Sequence, residues 1–348
     1  MNPAKRNIGA AIALIFVAPL VAEYLLGDLP LTLLPALLML APFYGGGALT
    51  IRELARRNGR GWPTMLLLGA AYTLLEEGFA TQSLFNRNYL GMNLHLLDHA
   101  WMPAFGISAW WTLFMFNLHT FWSIGVSIAL VEGLTPASAQ KPWLGKVGDS
   151  IVFLLFGIGF AGNAAYSVKH DHFVASGGQF ATTAVFIVLL VCMAFLIRFQ
   201  TEPSSSGSTM SAGFTGGATF VLGMGVLKTP PGWGWGAVAT IAMIDAVFLA
   251  VVGVLSRRQA WTALHTLSVG GGGAIAYGVN AFFQPPVVGG KNAAVVLASH
   301  IIMLCAALAV VAIGARRTVA WVRSEAEALS AILLSRIDAG GEASEHPL

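Results

Sequence analysis

Apolar runs long enough to cross a lipid bilayer follow one another along this chain from residue 8 to residue 315. About 20 such residues, wound as a helix, span the hydrocarbon core. A water-soluble domain carries roughly a quarter charged residues. Here 10% of the 348 residues are charged and 56% are hydrophobic, and the mean hydropathy is +0.72. A soluble fold of this size has no interior large enough for so much apolar surface. The chain therefore reads as all-α, a polytopic transmembrane helical bundle. About ten spans are expected, near residues 8–26, 30–50, 62–85, 106–132, 149–168, 178–199, 212–228, 236–256, 261–283 and 292–315, the seventh short and rich in glycine.

The loops test that count, because cytoplasmic connections are enriched in Lys and Arg. With the N-terminus inside, Lys5, Arg6, Arg52, Arg56, Arg57, Arg60, Lys141, Lys146, Arg198, Arg257, Arg258, Arg316, Arg317, Arg323 and Arg336 fall on the inner side. Arg87, Lys169, Lys228 and Lys291 fall outside, which accounts for all 19 basic residues. One span more or fewer would invert every later loop and destroy the bias. Both termini are thus expected in the cytoplasm, with the chain in the plasma (bacterial inner) membrane and the lipid bilayer as its partner. The net charge of +3 sits in short loops and calls for no nucleic acid. Lys5-Arg6 before an apolar stretch resembles a signal peptide, but the many later spans favour an uncleaved first helix. Cys192 and Cys305 lie in apolar runs and are expected to be buried packing residues.

Residues 1–317 form the transmembrane domain in this reading, and 318–348 a cytoplasmic tail. In the tail, Val322, Ala326, Leu329 and Leu333 recur at helical spacing between charged residues, which suits an amphipathic helix on the inner surface. The final "GGEASEHPL" is expected to be disordered. The outer loop 86–106 mixes aromatic residues with His95, Asp98 and His99 and fits the interface. "GLTPASAQKPWLGKVGD" (133–149) and "TEPSSSGSTMSAG" (201–213) read as plain linkers. His95 and His99, like "KHDH" at 169–172, read as surface groups. No internal repeat is evident.

Ionisable side chains inside a bilayer cost several kcal/mol and need partners or water, roughly 3 kcal/mol each on the gentlest scale. Glu23, Glu76, Glu77, His119, Asp245 and His300 are such residues, with Asn163 and Asn280 as neutral company. At about 1.5 Å of rise per residue, all six ionisable groups fall between the midplane and the outer surface, although they come from five spans. A shared, outward-opening polar cavity explains the common depth. Thr112, His119, Ser123 and Ser127 follow one face of a regular helix. Glu76 and Glu77, adjacent, point about 100° apart, so one is expected in the cavity and the other against a neighbouring helix or the rim. Glu132, Asp149 and His265 are expected at the inner interface.

Carboxylates and imidazoles in such a cavity suit two kinds of chemistry. A glutamate can activate water while histidines bind a metal or steady an oxyanion. The same groups can instead take up and release protons or cations in a carrier. The order Glu76-Glu77, then His119, then His300 resembles the CAAX-processing and bacteriocin-processing (Abi-like) intramembrane proteases, whose pattern is EExxxR, FxxxH and HxxxN. The resemblance implies Glu76, Glu77, His119 and His300 as catalytic residues, with a divalent metal such as zinc, on His119 and His300, as an open question. Thr81 stands at the arginine position, Met115 at the phenylalanine and Leu304 at the asparagine. The segments around EEG, QSxFNxNY and ALVE are also similar to uncharacterised bacterial multi-pass membrane proteins. The hydrolase would take a membrane peptide or a small molecule. The carrier alternative draws on Gly270–Gly273 in the ninth span, where an unwound centre would line a binding site; the same glycines also suit close helix packing. A non-catalytic scaffold is the third reading.

Overall fold

The structure, a computed structural model, describes residues 7–198, 206–290 and 292–342, without the side chains of 329 and 332–342. Lys5, Arg6 and Lys291, the last residues of the expected disordered tail, and the side chains of Leu329, Leu333 and Arg336 lie outside that description.

The fold is 77% helical. Among the described residues, seven helices are long and apolar enough to cross a membrane: α1 (Ile8–Leu25), α2 (Leu31–Arg57), α4 (Ala109–Leu134), α5 (Lys146–Asp171), α6 (Gly177–Leu196), α8 (Trp235–Leu255) and the segment Ala293–Ala328 of the last helix. Between them lie α3 (62–80), α7 (Ala212–Lys228) and α9 (Ala263–Asn280). The last helix, α10 (Ala293–Glu342), runs without a break from its apolar part into the charged tail. Side-chain caps set several starts, as when Asn7 accepts from Ala10 N and Ser108 from Trp111 N, since the first turn of any helix has N–H groups without helical partners. Within the 86–106 loop and its exit, β1 (Trp101–Met102) pairs antiparallel with β2 (Ile107–Ser108).

Helix α4 stands at the centre. Its most apolar window is 78% buried, against 6% for α8, so α8 turns nearly all its apolar side chains outward, as lipid contact requires. Cys192 and Cys305 correct the sequence expectation: both are free and exposed, on the outward faces of α6 and α10. An apolar run gives no rotation about the helix axis, so it does not distinguish a core face from a lipid face.

Helix α9 is continuous through its four glycines. A Cβ at Gly270 would lie 2.6 Å from Ala129 Cβ, at Gly271 3.1 Å from Val311, and at Gly273 2.7 Å from Val126, while Gly272 abuts the Gly216 carbonyl. The glycines let α4, α7 and α10 close on one helix, and no unwound centre forms.

Helix α2 continues seven residues beyond the expected boundary because its charges are paired inside the protein. Arg52 Nη1 lies 2.7 Å from Glu53, and its Nε 3.0 Å from Glu132, which also takes Arg56 at 2.8 Å. Glu132 is therefore buried rather than interfacial. Likewise the 133–149 segment is not a plain linker. Arg52 Nη2 donates to the carbonyls of Ala139 and Lys141 at 2.8 and 3.0 Å. The buried Trp143 ring lies 3.2 Å beneath the guanidinium, a cation–π contact.

Candidate functional site

Helix α3 changes its hydrogen-bond register where the glutamates begin. Regular winding ends at Leu75, and Glu76–Ala80 forms a π-helical turn, in which each N–H reaches one residue further back. The chain then reverses at Gln82, whose φ is +56°. Gln82 Oε1 anchors the reversal by accepting from Ala175 N at 2.7 Å. This brings Thr81 and Ser83 back over Glu77: Thr81 Oγ1 donates to Glu77 Oε2 at 2.9 Å, and Ser83 Oγ donates to the same oxygen. Ser83 is itself held by Trp111 Nε1 at 3.0 Å. Threonine, standing where the protease pattern has arginine, thus serves the second glutamate as a neutral donor.

His119 comes from another π-helical stretch, Asn117–Val126 of α4. Its Nε2 is 2.8 Å from Glu77 Oε1 and its Nδ1 is 2.9 Å from Glu76 Oε2. The two glutamates therefore flank one imidazole. The expectation that only one of them faces the site is corrected, because the ring stands between the two directions and the widened turn brings both carboxylates to it. Glu76 is 1% exposed and Glu77 5%. Glu77 has donors on both oxygens. Glu76 Oε2 has no aligned hydrogen bond, since it lies near Nδ1 but off the line such a bond requires.

Two further π-helical turns complete the surroundings. Leu20–Leu25 carries Glu23, and Ala41–Gly45 carries Tyr44, whose hydroxyl donates to Glu23 Oε1 at 2.6 Å. The Tyr44 ring stacks on His119 with centroids 6.2 Å apart, and Tyr72 meets it edge-on at 6.4 Å. Among the described residues there are four π-helical segments, and each supplies a member of this cluster. Such turns are rare and concentrate at functional sites. Asp28, in the turn after α1, lies within electrostatic range of Glu23 and His119. Burial, reinforced by the Glu23 charge, pushes its carboxyl up to about 8, with His119 opposing.

The other sequence candidates stand apart. His300 does not join the pair: it lies against Gly27 and the edge of Phe282, and its Nε2 has no hydrogen bond. Helix α9 packs on both α10 and the His119 turn. Asp245 accepts from Asn117 Nδ2 at 2.9 Å on the outward-facing α8. Thr112 donates to the Ser108 carbonyl; the π-helical stretch breaks the regular spacing that aligned it with His119. Ser123 keeps its place, 3.5 Å from His119 Nδ1. Asn163 is half-exposed on α5. Asn280 donates to Gln284 Oε1 at 2.9 Å. His265 is buried, with Nε2 3.0 Å from the Met210 carbonyl. Sequence reasoning missed Tyr44, Tyr72, Ser83 and Asp28. A tyrosine hydroxyl within a span was the available signal for the first two.

One ligand atom from each of Glu76, Glu77 and His119 lies within 4.8 Å of the others, so these three side chains could hold a metal. The model of an uncharacterized membrane protein family matches residues 12–336. The chain belongs to this family. No curated protein and no solved structure matches it, so the family supplies membrane residence and the chemistry must be argued from the site.

Proposed function

We propose that this member of the family is an intramembrane hydrolase, acting on a peptide or small molecule presented from the bilayer. One observation carries the proposal: His119 is held at Nε2 by Glu77, and its Nδ1 faces a buried carboxylate oxygen of Glu76 that accepts no aligned hydrogen bond among the described residues. In this mechanism Glu76 takes a proton from water, and the water oxygen bonds to the substrate's carbonyl carbon. His119, protonated and oriented by Glu77, steadies the oxyanion; as the bond from the carbonyl carbon to the leaving group breaks, it gives that group a proton, and the proton held by Glu76 passes back to His119. Tyr44 and Tyr72 pack the imidazole so that it does not turn away. The test is cleavage of membrane peptides by purified protein in nanodiscs. Glu76→Gln and His119→Ala should each lower turnover at least 100-fold while the protein remains folded. Full activity in both variants would remove the assignment.

A proton- or ion-coupled carrier is the second reading. It is favoured by the excess of acid, since Glu23, Glu76 and Glu77 share one imidazole. Flux into liposomes that does not respond to pH across the carboxylate range would count against it. For either activity we propose ten spans, with α3, α7 and α9 crossing alongside the seven longer helices. Both termini would face the cytoplasm, in a bacterial cell across the inner membrane, on the strength of the Lys and Arg distribution.

A further inference from the structure

We propose that Glu76, Glu77 and His119 bind a first-row divalent metal ion, with zinc as the natural probe. The inference deepens the hydrolase proposal and revises its division of labour: with an ion bound, the ion would supply the water activation and oxyanion stabilisation otherwise given by Glu76 and protonated His119. It rests on that reading for the ion's use, though not for its binding. Around a tetrahedral ion with bonds of about 2.1 Å, ligand atoms stand about 3.4 Å apart. The two short contacts are to different nitrogens of the ring, and one ion takes only one of them, so the carboxylate at the other nitrogen must swing round the ring. The ligand atoms, within 4.8 Å of one another, would close by up to about 1.4 Å to reach that spacing.

Charge supplies the independent reason. Glu76 and Glu77 are almost fully buried, with Glu23 beside them, and a single imidazole is the cation among them. Buried anions need compensation, and an ion offers more than one histidine can. Glu76 Oε2, beside His119 Nδ1 but without an aligned hydrogen bond, is the atom best placed to turn to it. The surrounding residues fit as well. Glu77 keeps one oxygen fixed by Thr81 and Ser83, and Ser83 is fixed by Trp111, as the outer ring of a metal site does for its ligands. Three protein ligands leave a fourth position for water, the arrangement of catalytic zinc. Imidazole nitrogen and carboxylate oxygen without sulfur suit zinc or manganese better than a copper(I) or iron–sulfur centre.

The experiment uses the full chain in nanodiscs, stripped with chelator and titrated with Zn²⁺ by calorimetry. One ion per chain is expected. Glu76→Gln and His119→Gln should each weaken binding at least 100-fold, whereas Asp245→Asn should leave it unchanged. If a site variant fails to fold, zinc-edge X-ray absorption of the wild type decides: a nitrogen and oxygen shell with imidazole scattering is expected. No binding tighter than millimolar, a sulfur-containing shell, or equal affinity in both site variants would overturn the proposal. Zinc bound without peptide cleavage would sink only the hydrolase; cleavage undiminished by chelator would sink only the ion.

Discussion

Two buried clusters of acidic and basic side chains stand out among the described residues, and they are built differently. At the arginine-bearing end, Arg52 and Arg56 face Glu53 and Glu132, two cations for two anions. Remaining donors and acceptors there are used too: Arg56 Nη1 donates to Gln140 Oε1 at 2.6 Å, and Glu53 accepts from Trp143 N and Leu144 N. In the opposite half, three glutamates share one histidine, an oxygen is left without an aligned partner, and helices α1 to α4 depart from regular winding. A charge-balanced, densely bonded network fastens a loop to the helices. An unbalanced one held on π-helical turns is the arrangement on which the proposed hydrolase and its ion rest.

The difference can be broken most forcefully at Arg52. Arg52→Met leaves buried Glu53 without its close cation and Glu132 with Arg56 alone, which should destabilise the protein by about 3 kcal/mol. Thermal or denaturant unfolding in detergent measures this, and a change below about 1 kcal/mol would mean the clasp is not structural. Next in size, Gly272→Ala drives a methyl group against the Gly216 carbonyl. A loss of about 1–3 kcal/mol is expected from overpacking where α9 meets α7, and an unchanged midpoint would show that the helices can separate freely.

Depth was legible in the sequence, and rotation was not. Apolar runs located the helices, and the cost of charge in lipid singled out Glu76, Glu77 and His119, which do meet. The same logic offered His300 and Asp245, which share that depth but belong to other surroundings, because one sequence does not say how each helix is turned about its axis. The π-helical turns were equally hidden, since they differ from regular winding only in which carbonyl each N–H selects. Arg52, Glu53 and Arg56 looked like a loop because unpaired charges would end a span; pairing with Glu132 across α4 removes that reason.

Smaller effects sharpen the contrast. Asp28, with its carboxyl raised to about 8 by burial, holds its proton in the folded protein across a range where the unfolded chain, near 3.9, has lost it. Its contribution is therefore complete below about pH 4 and lost as pH rises through about 8. Asp28→Asn should flatten that decline in a pH series of unfolding midpoints, whereas an unaltered slope would place the titration elsewhere. Smallest of all, Arg57→Ala removes a half-exposed ion pair with Asp149 and should cost less than about 1 kcal/mol, in contrast to its buried neighbour Arg52.

The most direct measurement is the unfolding midpoint of Glu76→Gln beside that of the wild type, both in chelator. A carboxylate kept for function at the expense of stability predicts a variant as stable as the wild type or more so. A drop as deep as that of Arg52→Met would instead make the glutamate–histidine cluster a second structural clasp.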